Sequence, residues 1–297
     1  MKRFLFSAAL VYLAGFSPLQ AQVNILYEAD SLTDSVKRIT STGVVTTFFT
    51  GLTNPEGLTV DSADNIYVAT SNNQIWKITF AGVGSLFTGS TDAPSGMVFD
   101  SSGNMYEADL GSGKIQKITP TGVVTTFASG LNLPTDVAFD ASGNLYESDY
   151  GTNSIIKITP LGVQSTFASV LHPTGLAFDS LGNLYVDEDQ FSTIKKITPA
   201  GVLTTFVSSG ISNPKTLTID SAGNLYEGDY GTGTIKEITP AGVVSTYASG
   251  LDLPDGLHFG AVPEPSTTAL LLGAALLLSL VARSHKLKLK KICTAQS

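Results

Sequence analysis

The sequence predicts an all-β fold, a six-bladed β-propeller made of four-stranded antiparallel blades. A unit of about 40 residues recurs along the chain, each copy holds four short apolar runs, and the partial copies at the two ends complete each other. A proline opens each copy, and successive prolines are 39, 40, 39, 41 and 40 residues apart. These prolines are Pro55, Pro94, Pro134, Pro173, Pro214 and Pro254.

The third full copy shows how one repeat predicts one blade. Its apolar runs consist of Val, Ile, Leu, Phe, Tyr and Thr, residue types that suit a pleated, packed surface. The predicted strands are 136–139, 144–149, 154–159 and 163–167. Asp140 opens the first turn, where its carboxylate can accept hydrogen bonds from backbone N–H groups, and Gly143 supplies a positive φ. Tight turns of this kind predict antiparallel hairpins.

The two ends of the repeat region predict how the ring closes. Leu26-Tyr27 and Ile39 match the second and third strands of a blade, yet they precede the first repeat proline, Pro55. The last proline, Pro254, is followed by a single strand, predicted at 255–259. One C-terminal strand and three N-terminal strands therefore make the sixth blade, which leaves no gap in the ring.

The repeat pattern P-x-G-L/V-x-F/V/I-D-x-x-G-N-L/I/M-Y resembles the NHL repeat and, more broadly, six-bladed propellers of the TolB-like and gluconolactonase-like kind. The pattern covers residues 23–259. The resemblance implies the fold. It leaves the function open, because such propellers serve as binding modules, lactonases and lyases alike.

The N-terminal segment, residues 1–21, has the pattern of a secretory signal peptide. Lys2 and Arg3 precede an apolar run over residues 4–16, and Gln20-Ala21 precedes Gln22, so we expect cleavage after Ala21. The propeller then occupies residues 22–261 of an exported protein.

The C-terminal segment, residues 262–297, resembles the PEP-CTERM sorting signal of exopolysaccharide-producing Gram-negative bacteria, which exosortase recognises and removes. An apolar helix is predicted at about 267–282, followed by a basic tail at 283–297 that favours a cytoplasmic end. The apolar run is short for a full span of roughly 20 residues. Cleavage and retention as an inner-membrane anchor both stay open. The sorting motif consists of Val262, Pro263, Glu264, Pro265 and Ser266.

Composition agrees with export and restricts the partners. The only cysteine, Cys293, lies in the basic tail, so the propeller contains no disulfide. Between the two terminal segments lie 10 basic and 24 acidic residues, a balance of −14. Such a charge argues against nucleic acids and anionic lipids and favours cations or neutral or cationic glycans. We expect contact with the membrane only through the C-terminal segment.

A first candidate site lies just after the repeat prolines. In a propeller, the loops that enter the innermost strands gather at one mouth of the central channel, and these residues differ between copies while the scaffold does not. Such divergence fits either a ligand site or the drift of exposed loops. The candidates are Glu56, Ser95, Thr135, Thr174, Lys215 and Asp255, with His172 in a neighbouring loop.

A second candidate site lies in the second strand of the blades. Four copies carry Glu where two others carry Val68 and Val186, namely Glu28, Glu107, Glu147 and Glu227. The pattern predicts an aspartate two residues further on, with Thr70 as the exception, and the candidates are Asp30, Asp109, Asp149, Asp189 and Asp229. One interpretation is structural: the Asp residues accept from turn N–H groups, and the Glu residues pair across strands, Glu28 with Lys37 and Glu227 with Lys236. The other is a site for a hard cation such as Ca²⁺ at the four Glu residues.

Three functions stay open at this point. The first is a binding or interaction module at the cell surface, outer membrane or extracellular matrix, with exopolysaccharide or surface proteins as partners. The second, implied by the resemblance, is a gluconolactonase-like hydrolase that depends on a divalent metal. The third is a streptogramin-lyase-like enzyme, for which His172 is the loop candidate. Repeated rather than singular acids favour the binding module, and the pattern indicates no catalytic residue.

Overall fold

The computed structural model of the chain describes residues 25–260 and confirms six four-stranded antiparallel blades. Blade 1 contains β1 Ile25–Asp30, β2 Ser35–Ile39, β3 Val45–Thr50 and β24 Pro254–Gly260. Blade 2 contains β4 Pro55–Val60, β5 Ile66–Thr70, β6 Gln74–Ile78 and β7 Gly84–Thr88. Blade 3 contains β8 Pro94–Phe99, β9 Met105–Asp109, β10 Lys114–Ile118 and β11 Val124–Ser129.

The other three blades repeat this order. Blade 4 contains β12 Pro134–Phe139, β13 Leu145–Asp149, β14 Ser154–Ile158 and β15 Gln164–Ser169. Blade 5 contains β16 Pro173–Phe178, β17 Leu184–Glu188, a short 3-10 helix Asp189–Phe191, β18 Thr193–Ile197 and β19 Leu203–Val207. Blade 6 contains β20 Pro214–Ile219, β21 Leu225–Asp229, β22 Thr234–Ile238 and β23 Val244–Ser249.

The predicted signal peptide, residues 1–21, and the sorting segment, residues 262–297, lie outside the described residues. Within residues 25–260, no helix has the length and apolar character needed to cross a membrane.

The ring closes as the repeat count predicts. Strand β24 pairs antiparallel with β1, so that Ile25 lies opposite Gly260 and Leu26 opposite Phe259. The closing strand is longer than predicted, because it begins at Pro254 itself. Each innermost strand likewise begins at its proline, which is tolerated as a first strand residue because it has no N–H group to donate.

Each hairpin between the first and second strands is built by its acidic turn residue. In blade 4, Asp140 Oδ1 accepts from the backbone N–H groups of Ser142 and Asn144, both at 2.9 Å. Its Oδ2 accepts from the Asn144 side chain at 2.8 Å, and Gly143 has φ +79. The predicted turn chemistry is therefore confirmed.

The apolar cores lie in the seams between blades. In the seam between blades 3 and 4, Tyr106 and Ile115 pack with Leu145 and Ile158. Tyr106 meets Phe127 of its own blade and Phe139 of the next at ring centroid distances of 4.9 and 5.1 Å, both edge-on. Side chains alternate between the faces of a strand, so Leu145 and Glu147 point into the same seam.

Candidate functional site

The innermost strands surround a central channel with a cavity volume of about 720 Å³. All six post-proline positions that the sequence singled out line this channel: Glu56, Ser95, Thr135, Thr174, Lys215 and Asp255. His172 is not among the channel-lining residues. Its ring lies beside the mouth, 4.8 Å from the ring of Tyr150 and 6.1 Å from that of Phe191. Phe191 is about half exposed, so these three rings form an accessible aromatic patch.

The innermost strands approach each other so closely that most copies need glycine two residues after the proline. A Cβ on Gly57 would overlap the carbonyl oxygen of Ser95, and one on Gly256 would overlap that of Glu56. Blade 4 carries Asp136 at this position. Asp136 Oδ2 accepts from the backbone N–H of Leu176 in blade 5 at 2.8 Å.

Asp136 was missed in the sequence analysis, although the change from P-x-G to P-T-D was visible. Its Oδ1 accepts from the backbone N–H of Val137 at 2.8 Å. Burial raises the pKa of Asp136 to about 7, against the opposing effect of its two backbone hydrogen bonds. The channel wall thus contains a carboxyl group that changes charge near neutral pH.

Two carboxyl groups from neighbouring blades stand at the mouth itself. Burial raises the pKa of Glu56 to about 7, and the charge of Asp255 adds to this effect. Burial also raises the pKa of Asp255 to about 6, with Asp30 adding to the rise and with Ser31 and Lys215 opposing it. A cation between these groups would favour their charged forms, so the arrangement suits a positively charged ligand group.

Lys215 and Tyr230 form another part of the mouth. The Nζ atom of Lys215 lies 3.0 Å from Asp189 Oδ2 and 5.7 Å from the centroid of the Tyr230 ring. These contacts hold the Lys215 ammonium group to one side, where it does not neutralise Glu56 and Asp255 directly. Both residues also line the channel.

The second-strand Glu residues have the predicted register but not the predicted partners. Glu28 lies opposite Lys37 and Glu227 opposite Lys236, while Glu147 lies opposite Ile156. The lysines instead form ion pairs with aspartates: the Nζ atom of Lys37 lies 3.8 Å from Asp30 Oδ2, and that of Lys236 lies 3.9 Å from Asp229 Oδ2. The interpretation that the Glu carboxylates form cross-strand pairs is therefore wrong.

The four Glu side chains are instead buried without hydrogen bonds. Glu28, Glu107, Glu147 and Glu227 are all 0% exposed, and none of their carboxyl oxygens has a hydrogen-bond partner among the described residues. Burial is the main cause of their raised pKa values, which reach about 9 for Glu147. The neighbouring aspartate, Asp149 in blade 4, raises the pKa further.

The aspartates that follow these Glu residues cap turns, as the structural interpretation predicts. The backbone N–H of Ser112 donates to Asp109 Oδ1 at 3.1 Å, and that of Asp92 donates to Oδ2 at 3.2 Å. Asp30, Asp149 and Asp229 accept the equivalent pairs of bonds. Blade 5 differs, because Glu188 takes this position opposite Pro173. Asp189 lies one residue later, in the 3-10 helix, so its predicted place two residues after the Glu position is wrong.

The structure does not bring the four Glu residues together. They lie on β1, β9, β13 and β21, in separate blades. Across residues 25–260, no group of three or more His, Cys, Asp or Glu side chains is arranged to hold a metal ion. The four Glu residues therefore do not form a joint ligand set for the calcium ion that the sequence suggested.

Comparisons with known proteins show the fold. The propeller of a nidogen/laminin complex is similar with a TM-score of 0.70 and 19% identity, over 80% of this chain and 98% of that one. A gluconolactonase from Xanthomonas campestris has a TM-score of 0.64 and 16% identity, over 82% of this chain and 93% of that one. No protein-family model matches the sequence, and neither does any curated protein sequence.

A third similar structure is an enzyme of the lyase class. It is a catalytically inactive histidine-to-alanine variant of virginiamycin B lyase from Staphylococcus aureus, with quinupristin. The TM-score is 0.62 and the identity 19%, over 82% of this chain and 94% of that one. The three structures differ in function, and each is less than 20% identical to this chain. The similarity therefore shows the fold and not the function.

Proposed function

We propose that the protein is an exported binding module that takes its ligand at the mouth of the central channel. The observation that carries this proposal is the pair of mouth carboxyls, Glu56 and Asp255. Both line a cavity of about 720 Å³, and within residues 25–260 neither forms an ion pair with a basic side chain, since Lys215 pairs with Asp189. The post-proline residues vary around the ring while the blades repeat, as expected where a scaffold presents a binding surface.

The chemistry of the mouth favours a ligand that carries both a positive charge and a flat or ring-shaped body. Glu56 and Asp255 would bind an ammonium group through charge-assisted hydrogen bonds. The aromatic patch of Tyr150, His172 and Phe191 beside the mouth offers ring faces for stacking. A cationic glycan with free amino groups, as part of an exopolysaccharide, meets both conditions. A basic segment of a surface protein is the alternative partner.

The binding test compares glycans of one length but different charge on the full chain in mild detergent. We expect a glucosamine oligomer to bind and an N-acetylglucosamine oligomer to bind at least tenfold more weakly, a difference of about 1.4 kcal/mol. The double variant Glu56→Gln, Asp255→Asn should lose this preference. Asp252→Asn is the matched control, because Asp252 is an exposed acid outside the channel lining. Equal binding of the two oligomers by the unmodified chain would refute the proposal.

The pH dependence of the same binding adds a second readout. The pKa of Glu56 is about 7 and that of Asp255 about 6, so both groups gain negative charge as the pH rises from about 5 to 8. Binding of a quaternary ammonium probe, whose charge does not titrate, should therefore strengthen over this range. A flat profile would exclude these two carboxyls as the cation-binding groups.

We further propose that an exosortase-type enzyme processes the C-terminal segment, so that the propeller reaches the surface or matrix of a Gram-negative bacterium. The support is the sequence motif around Pro263, Glu264 and Pro265, followed by the apolar run and basic tail. In a host that contains exosortase, mass spectrometry of the full chain should show loss of the tail. Processing should fail in a host without the enzyme and in the variant Glu264→Ala. A tail that persists in all three cases would indicate a retained anchor.

A gluconolactonase-like hydrolase is the second candidate, and the same two mouth carboxyls favour it, because carboxylate oxygens are ligands that Ca²⁺ accepts. The absence of a third His, Cys, Asp or Glu ligand within residues 25–260 weighs against it. Lactone hydrolysis that requires added divalent metal and disappears in Asp255→Asn would favour the hydrolase over the binding module. We infer no lyase step from His172, which lies outside the channel lining.

A further inference from the structure

The seam between blades 5 and 6 contains two buried carboxyl groups at positions where the other seams contain one or none. Asp187 in β17 takes a position held by small side chains in the other blades. These are Ala29, Ala69, Ala108, Ser148 and Gly228. From β21 of the next blade, Glu227 points into the same seam, because Leu225, two residues earlier on its strand face, packs in one cluster with Tyr185, two residues before Asp187. The charge of Asp187 also acts on Glu227. The sequence shows that the Glu residue repeats, but it does not show that Glu227 and Asp187 lie in the same seam.

Neither carboxyl group has a partner. Both side chains are 0% exposed, and their four oxygens make no hydrogen bond to any described residue. Asp187 Oδ2 lies directly against the innermost strand of its own blade, where a Cβ on Gly175 would be only 2.8 Å away. No room for a hydration shell exists at this contact.

The nearby charged groups do not neutralise the two carboxyls. Asp187 is near Asp136, Asp189 and Lys215, and Glu227 is near Asp229 and Lys236 in addition to Asp187. Both lysines already contact other acids: Lys215 lies 3.0 Å from Asp189, and Lys236 lies 3.9 Å from Asp229. The remaining neighbours are themselves acidic and disfavour a second negative charge.

Two carboxylates that are buried in one seam, and to which no described residue donates a hydrogen bond, cannot both be ionised at an acceptable energy. One proton between them removes the repulsion and supplies the missing hydrogen-bond donor. We propose that Asp187 and Glu227 share one proton across the seam between blades 5 and 6, and that this seam loosens when the proton is lost.

The chain offers natural replacements for the test. Val68 and Val186 occupy the Glu227 position in other blades, and Ala69 and Ala108 occupy the Asp187 position, so Glu227→Val and Asp187→Ala preserve shapes that the fold already accepts. Glu147→Val is the matched control, because Glu147 faces Ile156 across its hairpin and Ala108 holds the Asp187 position in its seam. Asp187→Ser, which copies Ser148 of blade 4, replaces Asp187→Ala if that variant does not fold.

The readout is the infrared band of protonated carboxyl groups, followed against pH in the full chain. Subtracting the spectra of Glu227→Val isolates the band of Glu227. We expect this band to persist above neutral pH in the unmodified chain and to disappear at a pH at least about one unit lower in Asp187→Ala, because coupled sites raise each other's apparent pKa values. Glu147→Val should leave the disappearance of the Glu227 band unchanged.

Two results would overturn the shared proton. The first is a Glu227 band that disappears at the same pH with and without Asp187. The second is a stoichiometric metal ion in the purified chain that is lost in Asp187→Ala, since a cation would then occupy the place given to the proton.

The loosening is tested by hydrogen exchange in the same chain. After correction for the intrinsic effect of pH, amides of β17 and β20 should lose protection at a lower pH than amides of β13 and β16, which contact each other across the seam between blades 4 and 5, where Ser148 and Val186 stand in place of the two acids. Asp187→Ala should remove this difference. Uniform loss of protection around the ring would show that the seam has no special role. None of these readouts depends on the proposed ligand.

Discussion

Two sets of acidic residues repeat around the ring, and their surroundings affect the charged form in opposite ways. The turn acids, which open the first hairpin of a blade, accept several hydrogen bonds, and those of blades 2 to 5 also contact a lysine; Asp140 is the example in blade 4. The seam acids Glu28, Glu107, Glu147 and Glu227 receive no hydrogen bond from any residue that the structure describes; Glu147, the example in the same blade, lies opposite Ile156. The pKa of Asp140 is lowered and that of Glu147 is raised to about 9.

Repetition alone therefore does not distinguish an acid that stabilises the fold from one whose burial is costly. Burial disfavours the charge of Asp140, but hydrogen bonds from Asn144 and Ser142 and the charge of Lys157 outweigh it. For Glu147, burial acts without opposition, and Asp149 adds to it. The turn acids therefore stabilise the folded ring when charged, whereas the seam acids stabilise it only when protonated.

The largest expected effect comes from removing a seam acid at alkaline pH. A carboxyl whose folded pKa is raised contributes stability that is present below its unfolded pKa and is lost as the pH rises towards the folded value, here between about 4.5 and 9. Glu147→Val should therefore raise the free energy of unfolding at pH 9 by on the order of 3 kcal/mol and change little near pH 4. Urea denaturation at several pH values measures both.

Two controls make this result specific to the seam. Val186→Glu, the reverse change in blade 5, should lower stability and add a new loss at alkaline pH. Glu147→Gln should remove the pH dependence but gain less, because a buried amide still lacks partners. If the stability profile of Glu147→Val runs parallel to that of the unmodified chain, Glu147 is ionised in the folded state and the contrast with the turn acids fails.

A smaller effect, of opposite sign, is expected from a turn acid. The lowered pKa of Asp140 means that its stability contribution is present above the unfolded pKa and is lost as the pH falls through the folded value. Asp140→Ala should cost about 2 kcal/mol at pH 7, because it leaves turn N–H groups without their acceptor. The cost should shrink towards pH 3. Asp140→Asn keeps the shape and one acceptor oxygen, so its free energy of unfolding should lie between those of the unmodified chain and Asp140→Ala.

The turn acids illustrate what the sequence could predict. Asp140, Gly143 and Asn144 act within five neighbouring residues, so their turn chemistry is local and readable from the sequence. The blade count and the closing pair of β24 with β1 were also readable, because six copies report the same pattern. The channel-lining positions of Glu56 and Asp255 followed from the fold, since every innermost strand starts at an equivalent proline.

The seam acids show where the sequence stopped being informative. Their predicted hairpin register is confirmed. However, Lys37 and Lys236 each face a Glu and an Asp on the same strand face and form an ion pair with the Asp. Sequence spacing does not predict which of the two acids the lysine contacts. Asp187 and Asp136 were missed because their neighbours come from other blades: Leu176 donates to Asp136 from 40 residues away. Contacts across seams depend on how blades dock, and the single-blade pattern contains no such information.

A weaker effect is expected from the lysine that accompanies the turn acid in blades 2 to 5. Lys157 Nζ lies 3.9 Å from Asp140 and 5.3 Å from the centroid of the Tyr146 ring, with about a third of its side chain exposed. Ion pairs with this much solvent contact contribute about 0.2–1 kcal/mol, and a partly exposed lysine over a ring adds about 0.5 kcal/mol. Lys157→Met, which keeps the aliphatic stem over the ring, should therefore cost less than about 1 kcal/mol. The loss should diminish in high salt, because salt screens the ion pair but not the packing.

A loss as large as that of Asp140→Ala would mean that the turn acids depend on lysine rather than on backbone N–H groups. Their charge would then be stabilised across the hairpin, and the turn acids would differ from the seam acids only in having a cation within reach.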